Sequence, residues 1–277
     1  MFVAALLCQV ILATAAFAVP TANERHAHRV ARRAAGLTRQ SLPHQLAEFS
    51  ENPVVSDANG LDNATQATVV YSTNWAGALL SEKKATYNGV TGTFVIPTPT
   101  VPSGGSGVYR GAAWVGIDGV TCGTTLLQTG IDFAVNGSRV TYFAWYHWYP
   151  ADAYDFSGIT FQPGDTVTLT VAAMSKTNGT VSIKNHRTGK RVLHNFSGQP
   201  SLCKYDAEWV IEDLGNSTLS PFANFGKVTF TDATAHTLSG KTVGPANAQQ
   251  IDILKSNKAI TKVTTGPKSV TITYTGQ

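Results

Sequence analysis

Long apolar runs are nearly absent from this 277-residue chain. After residue 18 nothing approaches the ~18 consecutive apolar residues of a membrane span, so no helical anchor is expected there. No helix-period stretch longer than about three turns follows residue 68, and no repeat of fixed length occurs, which removes bundles and solenoids from consideration. Common catalytic signatures are missing as well. There is no His-Glu-x-x-His, no Cys-x-x-Cys and no Gly-rich phosphate loop closed by Lys-Ser/Thr. Gly104-Gly105-Ser106-Gly107 runs into Val108, so it is not a Gly-x-Ser-x-Gly elbow. Metallopeptidase, kinase and serine-hydrolase readings lose their support. His26 and His28 are a chance pair in a segment expected to be removed, and no metal or cofactor is expected. Charge is sparse at 14%, with a net charge of +4 and a pI near 8.9. The basic residues are scattered among strand-like runs instead of interleaved with aromatics, which argues against nucleic-acid binding.

What is present begins with residues 1–18, an apolar run too short for a bilayer that ends in the small-residue pattern Ala16-Phe17-Ala18. These are the marks of a cleaved secretion signal, although no basic residue follows Met1. Residues 19–68 carry Arg25, Arg29, Arg32, Arg33 and Arg39 with His26, His28 and His44, and read as a basic pro-segment and linker with Arg32-Arg33 as a processing site. Its positive charge suits an electrostatic plug over an acidic cleft, an inhibitor released by acid. Residues 69–277 suit one domain. Cys8 leaves with the signal, so Cys122 and Cys203 form an even pair in an oxidising compartment and are expected to be bonded. Asn63, Asn136, Asn178, Asn195 and Asn216 are N-glycosylation acceptors, of which some should be used.

From Val69 onward short runs rich in Val, Thr, Ile, Phe and Tyr alternate with period two, broken by turns at Asn136-Gly137, Pro163-Gly164-Asp165, Asn178-Gly179 and Thr188-Gly189. Strands are predicted over 89–96, 128–135, 139–149, 166–173, 180–184, 249–254, 260–264 and 269–274. Two antiparallel sheets packed face to face follow as the default all-β architecture.

Two segments carry the chemistry. Trp114-Val115-Gly116-Ile117-Asp118-Gly119 leads to Leu126-Leu127-Gln128-Thr129-Gly130, and about 80 residues later comes Ala207-Glu208-Trp209-Val210-Ile211-Glu212-Asp213. Together with Asn74-Trp75-Ala76-Gly77 and the aromatic run Ala144-Trp145-Tyr146-His147-Trp148-Tyr149-Pro150, they resemble the glutamic peptidases, the eqolisin family of secreted acid proteases. The resemblance spans 73 to the C-terminus and is loosest over the last 50 residues. It implies a lectin-like, concanavalin A-like sandwich of two curved antiparallel sheets. It also places Cys122 and Cys203 where the family has a bridged pair.

The activity implied is a secreted acid endopeptidase, insensitive to pepstatin, that acts on polypeptides through water. Glu212 would take the water's proton and return it to the leaving amine, while Gln128 stabilises the oxyanion. Alternation puts Glu208, Val210 and Glu212 on one face, and apolar neighbours there would raise the Glu212 pKa. Trp114 matches a cleft tryptophan, and Asp118 and Asp132 match acids that hydrogen-bond around the site. Asn74 and Trp75 read as fold and cleft-edge residues. His147 stands where the family usually has Glu, and Phe143 where some members have an acid. A cationic His147 near Glu212 would lower its pKa; a His147 that only bonds a backbone carbonyl would do nothing catalytic.

The rival readings are a secreted, non-catalytic carbohydrate-binding sandwich and a two-carboxylate glycosidase built on Glu208, Glu212 or Asp132. A monomer is the simplest expectation.

Overall fold

The computed structural model describes residues 43–47, 69–214 and 221–276. The expected signal run 1–18, the rest of 19–68 with Arg32-Arg33, and the expected acceptors Asn63 and Asn216 lie outside the described residues. The described chain is a succession of strands. The first seven are β1 (Val69–Ser72), β2 (Trp75–Ser81), β3 (Tyr87–Val95), β4 (Val108–Asp118), β5 (Leu126–Asn136), β6 (Arg139–Tyr149) and β7 (Tyr154–Asp155). Then come β8 (Thr166–Ala172), β9 (Gly179–Asn185), β10 (Arg191–Phe196), β11 (Asp206–Glu212) and β12 (Lys227–Thr237). The last five are β13 (Thr242–Val243), β14 (Gln249–Lys255), β15 (Lys258–Ala259), β16 (Thr261–Gly266) and β17 (Ser269–Tyr274).

They form two sheets. One runs β1-β14-β2-β11-β4-β5-β6-β7 with β15 on β14; the other runs β10-β9-β8-β3-β12-β17-β16 with β13 on β12. Pairing is antiparallel as predicted, except that β1 lies parallel to β14. Each predicted strand is present within a few residues. The main core lies between the sheets, where Trp209 and Ile211 of β11 join Val90 and Phe94 of β3, Leu169 of β8 and Phe230 of β12. Period-two alternation sends these side chains inward and their neighbours to the other face. The Trp209 ring is fully buried, and its Nε1–H donates to the Thr91 carbonyl at 2.8 Å. Truncation to Ala would cost about 3–5 kcal/mol, since both the packing and that hydrogen bond would go.

The first sheet is also buried on its other face. A second cluster there gathers Trp75, Leu79, Ala112, Trp114, Leu126, Trp145, Val210 and Ile251. For this reason β11 and all of β2 except Ser81 are buried along their whole length.

The Cys122–Cys203 disulfide is formed, joining the loop before β5 to the segment before β11. Beside it, Asp206 Oδ2 accepts backbone N–H groups of Val120, Thr121 and Cys122 at 3.3, 2.7 and 3.4 Å. The ends of β4, β5 and β11 are therefore tied together at one edge of the second cluster.

Candidate active site

Strand register builds the second face from three cross-strand rows. One row reads Phe143, Asp132, Ala112, Glu212, Trp75 across β6, β5, β4, β11 and β2. The next reads Trp145, Gly130, Trp114, Val210, Gly77. The third reads His147, Gln128, Gly116, Glu208, Leu79. Gln128 and Glu212 thus share a face, in outer rows on either side of the one that holds Trp114.

Glycine makes the middle of this face possible. A Cβ on Gly130 would come 2.4 Å from Trp114 Cβ, and one on Gly116 would come 2.6 Å from Glu208 Oε1. Both distances are below any real Cβ contact, so the indole of Trp114 and the carboxyl of Glu208 lie in space that only glycine leaves open.

Each proposed reactive group is held by a neighbour. Trp114 Nε1–H donates to Glu212 Oε2 at 3.0 Å, with both residues buried. Gln128, fully buried, has its Nε2 at 2.9 Å from His147 Nδ1, while His147 Nε2 is 2.7 Å from the Ala151 carbonyl. A carbonyl can only accept, so the imidazole proton is on Nε2, and Nδ1 accepts an N–H of Gln128. His147 therefore bonds a backbone carbonyl, and it also reaches Gln128; the register puts it in that row and not in the row of Glu212. Phe143 lies in the Asp132 row and itself supplies no charge there.

Asp132 and Asp118 differ in placement. Asp132 is buried in the same row as Glu212, with Ala112 between them. Asp118 stands at the end of β4 with φ 71° and accepts backbone N–H groups of Lys204, Tyr205 and Asp206 at 2.9, 2.8 and 3.4 Å. It fastens the entry to β11. Burial pushes its pKa up to about 6, against those three hydrogen bonds.

Sequence reasoning weighed Glu208 only as half of a glycosidase pair. In the structure it is fully buried, neither carboxyl oxygen has a hydrogen-bond partner, and burial holds its pKa well above the ordinary carboxylate range. The signal was in the alternation that paired it with Glu212.

Residues 43–47 form the other unforeseen contact. His44 N–H donates to the Gly119 carbonyl, Gln45 N–H to Asn74 Oδ1, Ala47 N–H to the Tyr71 carbonyl, and Thr73 N–H to the Gln45 carbonyl, at 3.0–3.1 Å. The His44 ring meets Trp75 edge-on at 5.7 Å, and Trp75 meets Trp114 at 4.7 Å. His44 Nε2 is buried without a partner, and burial lowers the His44 pKa to about 4, opposed by Asp206. This stretch holds by backbone pairing and a buried imidazole, with no arginine among its residues.

Among the described residues, no three His, Cys, Asp or Glu side chains converge as a metal site requires. The three tryptophans of this face, Trp75, Trp114 and Trp145, are all under 2% exposed, so none of them offers an open ring on which a sugar could stack.

A sequence model of the peptidase A4 family matches residues 73–274. Aspergillopepsin-2 of Aspergillus niger is 41% identical over 283 residues, spanning 95% of this chain and 96% of the relative. Scytalidopepsin B of Scytalidium lignicola is 38% identical over 284 residues, spanning 98% of both. Among solved structures, scytalido-glutamic peptidase with a peptide-based transition-state analogue superposes with a TM-score of 0.64 at 37% identity, covering 73% of this chain and 98% of that one.

Proposed function

Because this chain belongs to the peptidase A4 family, the glutamic peptidases or eqolisins, we propose that it is a secreted acid endopeptidase with Glu212 and Gln128 as its catalytic pair. The observation that carries the assignment is the pairing of two fixed groups on one buried face. Glu212 is oriented by the Trp114 indole, and Gln128 by the His147 imidazole.

Glu212 as carboxylate draws a proton from a water molecule held against it, and that water adds to the scissile carbonyl. The Trp114 N–H on Oε2 orients the carboxylate. Negative charge develops on the carbonyl oxygen and is met by the Gln128 amide, a neutral donor that does not titrate. One such preorganised donor is worth about 3 kcal/mol, or two to three orders of magnitude in kcat. Glu212 then returns its proton to the leaving amine, and no covalent intermediate forms.

Secretion is supported by the bonded Cys122–Cys203 pair and the apolar run at 1–18. The contacts of 43–47 support inhibition by the enzyme's own pro-segment, since His44 covers Trp75, the residue across the strand pair from Glu212.

The test is hydrolysis of casein or denatured haemoglobin from about pH 2 to 8 with pepstatin present. Activity confined to acid pH and abolished by both Glu212→Gln and Gln128→Ala is expected. Full activity in either folded variant would overturn the assignment of that residue.

A further inference from the structure

A hydrogen bond between an amide and an imidazole depends on protonation in a way that one to a carboxylate does not. With Nε2–H committed to the Ala151 carbonyl at 2.7 Å, neutral His147 has only a lone pair at Nδ1 to offer. Gln128 must answer with an N–H, as the 2.9 Å contact to its Nε2 requires. One of the two amide hydrogens is thereby spent on the imidazole. Once His147 is protonated, Nδ1 carries a hydrogen and can no longer accept, and an N–H facing it is repelled. The contact is restored only if the amide makes a half-turn that brings Oε1 to the imidazole.

We propose that His147 is a positioning residue whose protonation turns the Gln128 amide, so that the imidazolium holds Oε1 and both N–H groups of Gln128 point away from it toward the reacting carbonyl. This inference rests on the reading of Gln128 as the oxyanion donor. The turned amide is also the stronger donor, because a cationic hydrogen bond to Oε1 withdraws density from nitrogen and acidifies its N–H groups. Acid therefore does more than charge a histidine; it converts Gln128 into a better oxyanion site.

The titratable groups around His147 come from its own strand, the turn that follows it, β7 and β11. Tyr149, next on its face of β6, packs edge-on at 6.2 Å. Asp152 follows in the turn and Asp155 sits in β7, opposite Trp145. Glu208, across Gly116 from Gln128, is neutral through the acid range and adds no charge.

The experiment has two arms. In the first, 15N NMR of the whole protein between about pH 3 and 8 follows the His147 ring nitrogens and the Gln128 side-chain NH2. The expected result is an Nε2–H tautomer at high pH, and a Gln128 NH2 shift that moves with the same midpoint as His147 when it protonates. An imidazole that stays neutral throughout, or a Gln128 signal indifferent to its titration, overturns the proposal. In the second, kcat and KM are measured against pH for the wild type and for His147→Gln, whose amide bonds Gln128 without titrating. The wild-type limb that tracks the NMR midpoint should vanish in the variant, with kcat at the acid end about tenfold lower and KM unchanged. Superimposable profiles overturn the proposal. Should His147→Gln not fold, the NMR arm on the wild type still decides. Gln128→Ala separates the two readings: full activity there defeats the oxyanion role of Gln128, whereas the turn of the amide is read without any substrate.

Discussion

Acid should release the 43–47 segment through one side chain. His44 lies against Trp75 with its Nε2 buried and unpartnered, and its pKa falls from 6.5 to about 4 in that position. A lowered histidine pKa means that the docked form refuses a proton which the released form accepts. Docking is therefore at full strength above pH 6.5, weakens as pH falls, and levels off below about pH 4. The difference corresponds to roughly 3 kcal/mol, or about 300-fold in the docking equilibrium, with Asp206 already counted on the side of the proton. Hydrogen exchange on the precursor carrying Glu212→Gln, chosen to remove the proposed catalytic carboxylate, reads docking at three amides. These are Gln45 and Ala47, which donate to the domain, and Thr73, which donates to Gln45. After correction for intrinsic rates, their protection should collapse together between about pH 6.5 and 4 and stay high in His44→Phe. If His44→Phe loses protection over the same range, the imidazole is not the trigger and the reasoning fails.

The fold itself should be more stable in acid. Asp118 and Asp252 have pKa values raised by burial from 3.8 to about 6, so each contributes stability fully present below pH 3.8 and lost as pH rises through about 6, on the order of 2–3 kcal/mol apiece. Glu208 acts in the same direction. A melting temperature at pH 7 equal to that at pH 4 would contradict this, and Asp252→Asn should flatten the dependence. Gly116→Ala puts a methyl 2.6 Å from Glu208 Oε1 and should lower stability by about 1–3 kcal/mol; an unchanged denaturation midpoint would mean that the Glu208 carboxyl moves aside freely. Replacing Cys122 and Cys203 with Ser opens a loop with a sequence separation of 81 and should cost about 4 kcal/mol in urea unfolding.

Alternation made much of this fold legible. Arg139–Tyr149 and Ser269–Tyr274 alternate in sequence and are strands at those limits. β2 was not foreseen, because Trp75-Ala-Gly-Ala-Leu-Leu is buried on both faces and a strand covered twice has no polar side to alternate with. The turn expected at Asn178-Gly179 differs in kind. Gly179 already pairs with Phe196 as the first residue of β9, and its missing side chain leaves room for Leu127, which would lie 2.8 Å from a Cβ. At the site, sequence motifs selected Glu212, Gln128 and Trp114 but could not say which residues touch. The Gln128–His147 contact depends on the register between β5 and β6, set across the hairpin at Asn136-Gly137. The role of His44 depends on a segment with no periodicity at all.

Burying polar groups in a tryptophan-lined face carries a penalty that this protein meets in two ways. Where a group must keep a defined orientation, a side chain from the adjoining strand supplies a hydrogen bond: Trp114 to Glu212, and Gln128 to His147. Where no partner exists, as for Glu208 with both oxygens unbonded, the group is tolerable only as the neutral acid. The second solution restricts the protein to conditions in which protons are abundant. A neutral Glu208, across Gly116 from Gln128, adds no charge to that row, so the proton that stabilises the fold also favours the oxyanion role proposed for Gln128. Raising the pH acts on both together: the same deprotonation that strains the core places a negative charge in the Gln128 row, where the proposed role of Gln128 requires the transition state to develop one.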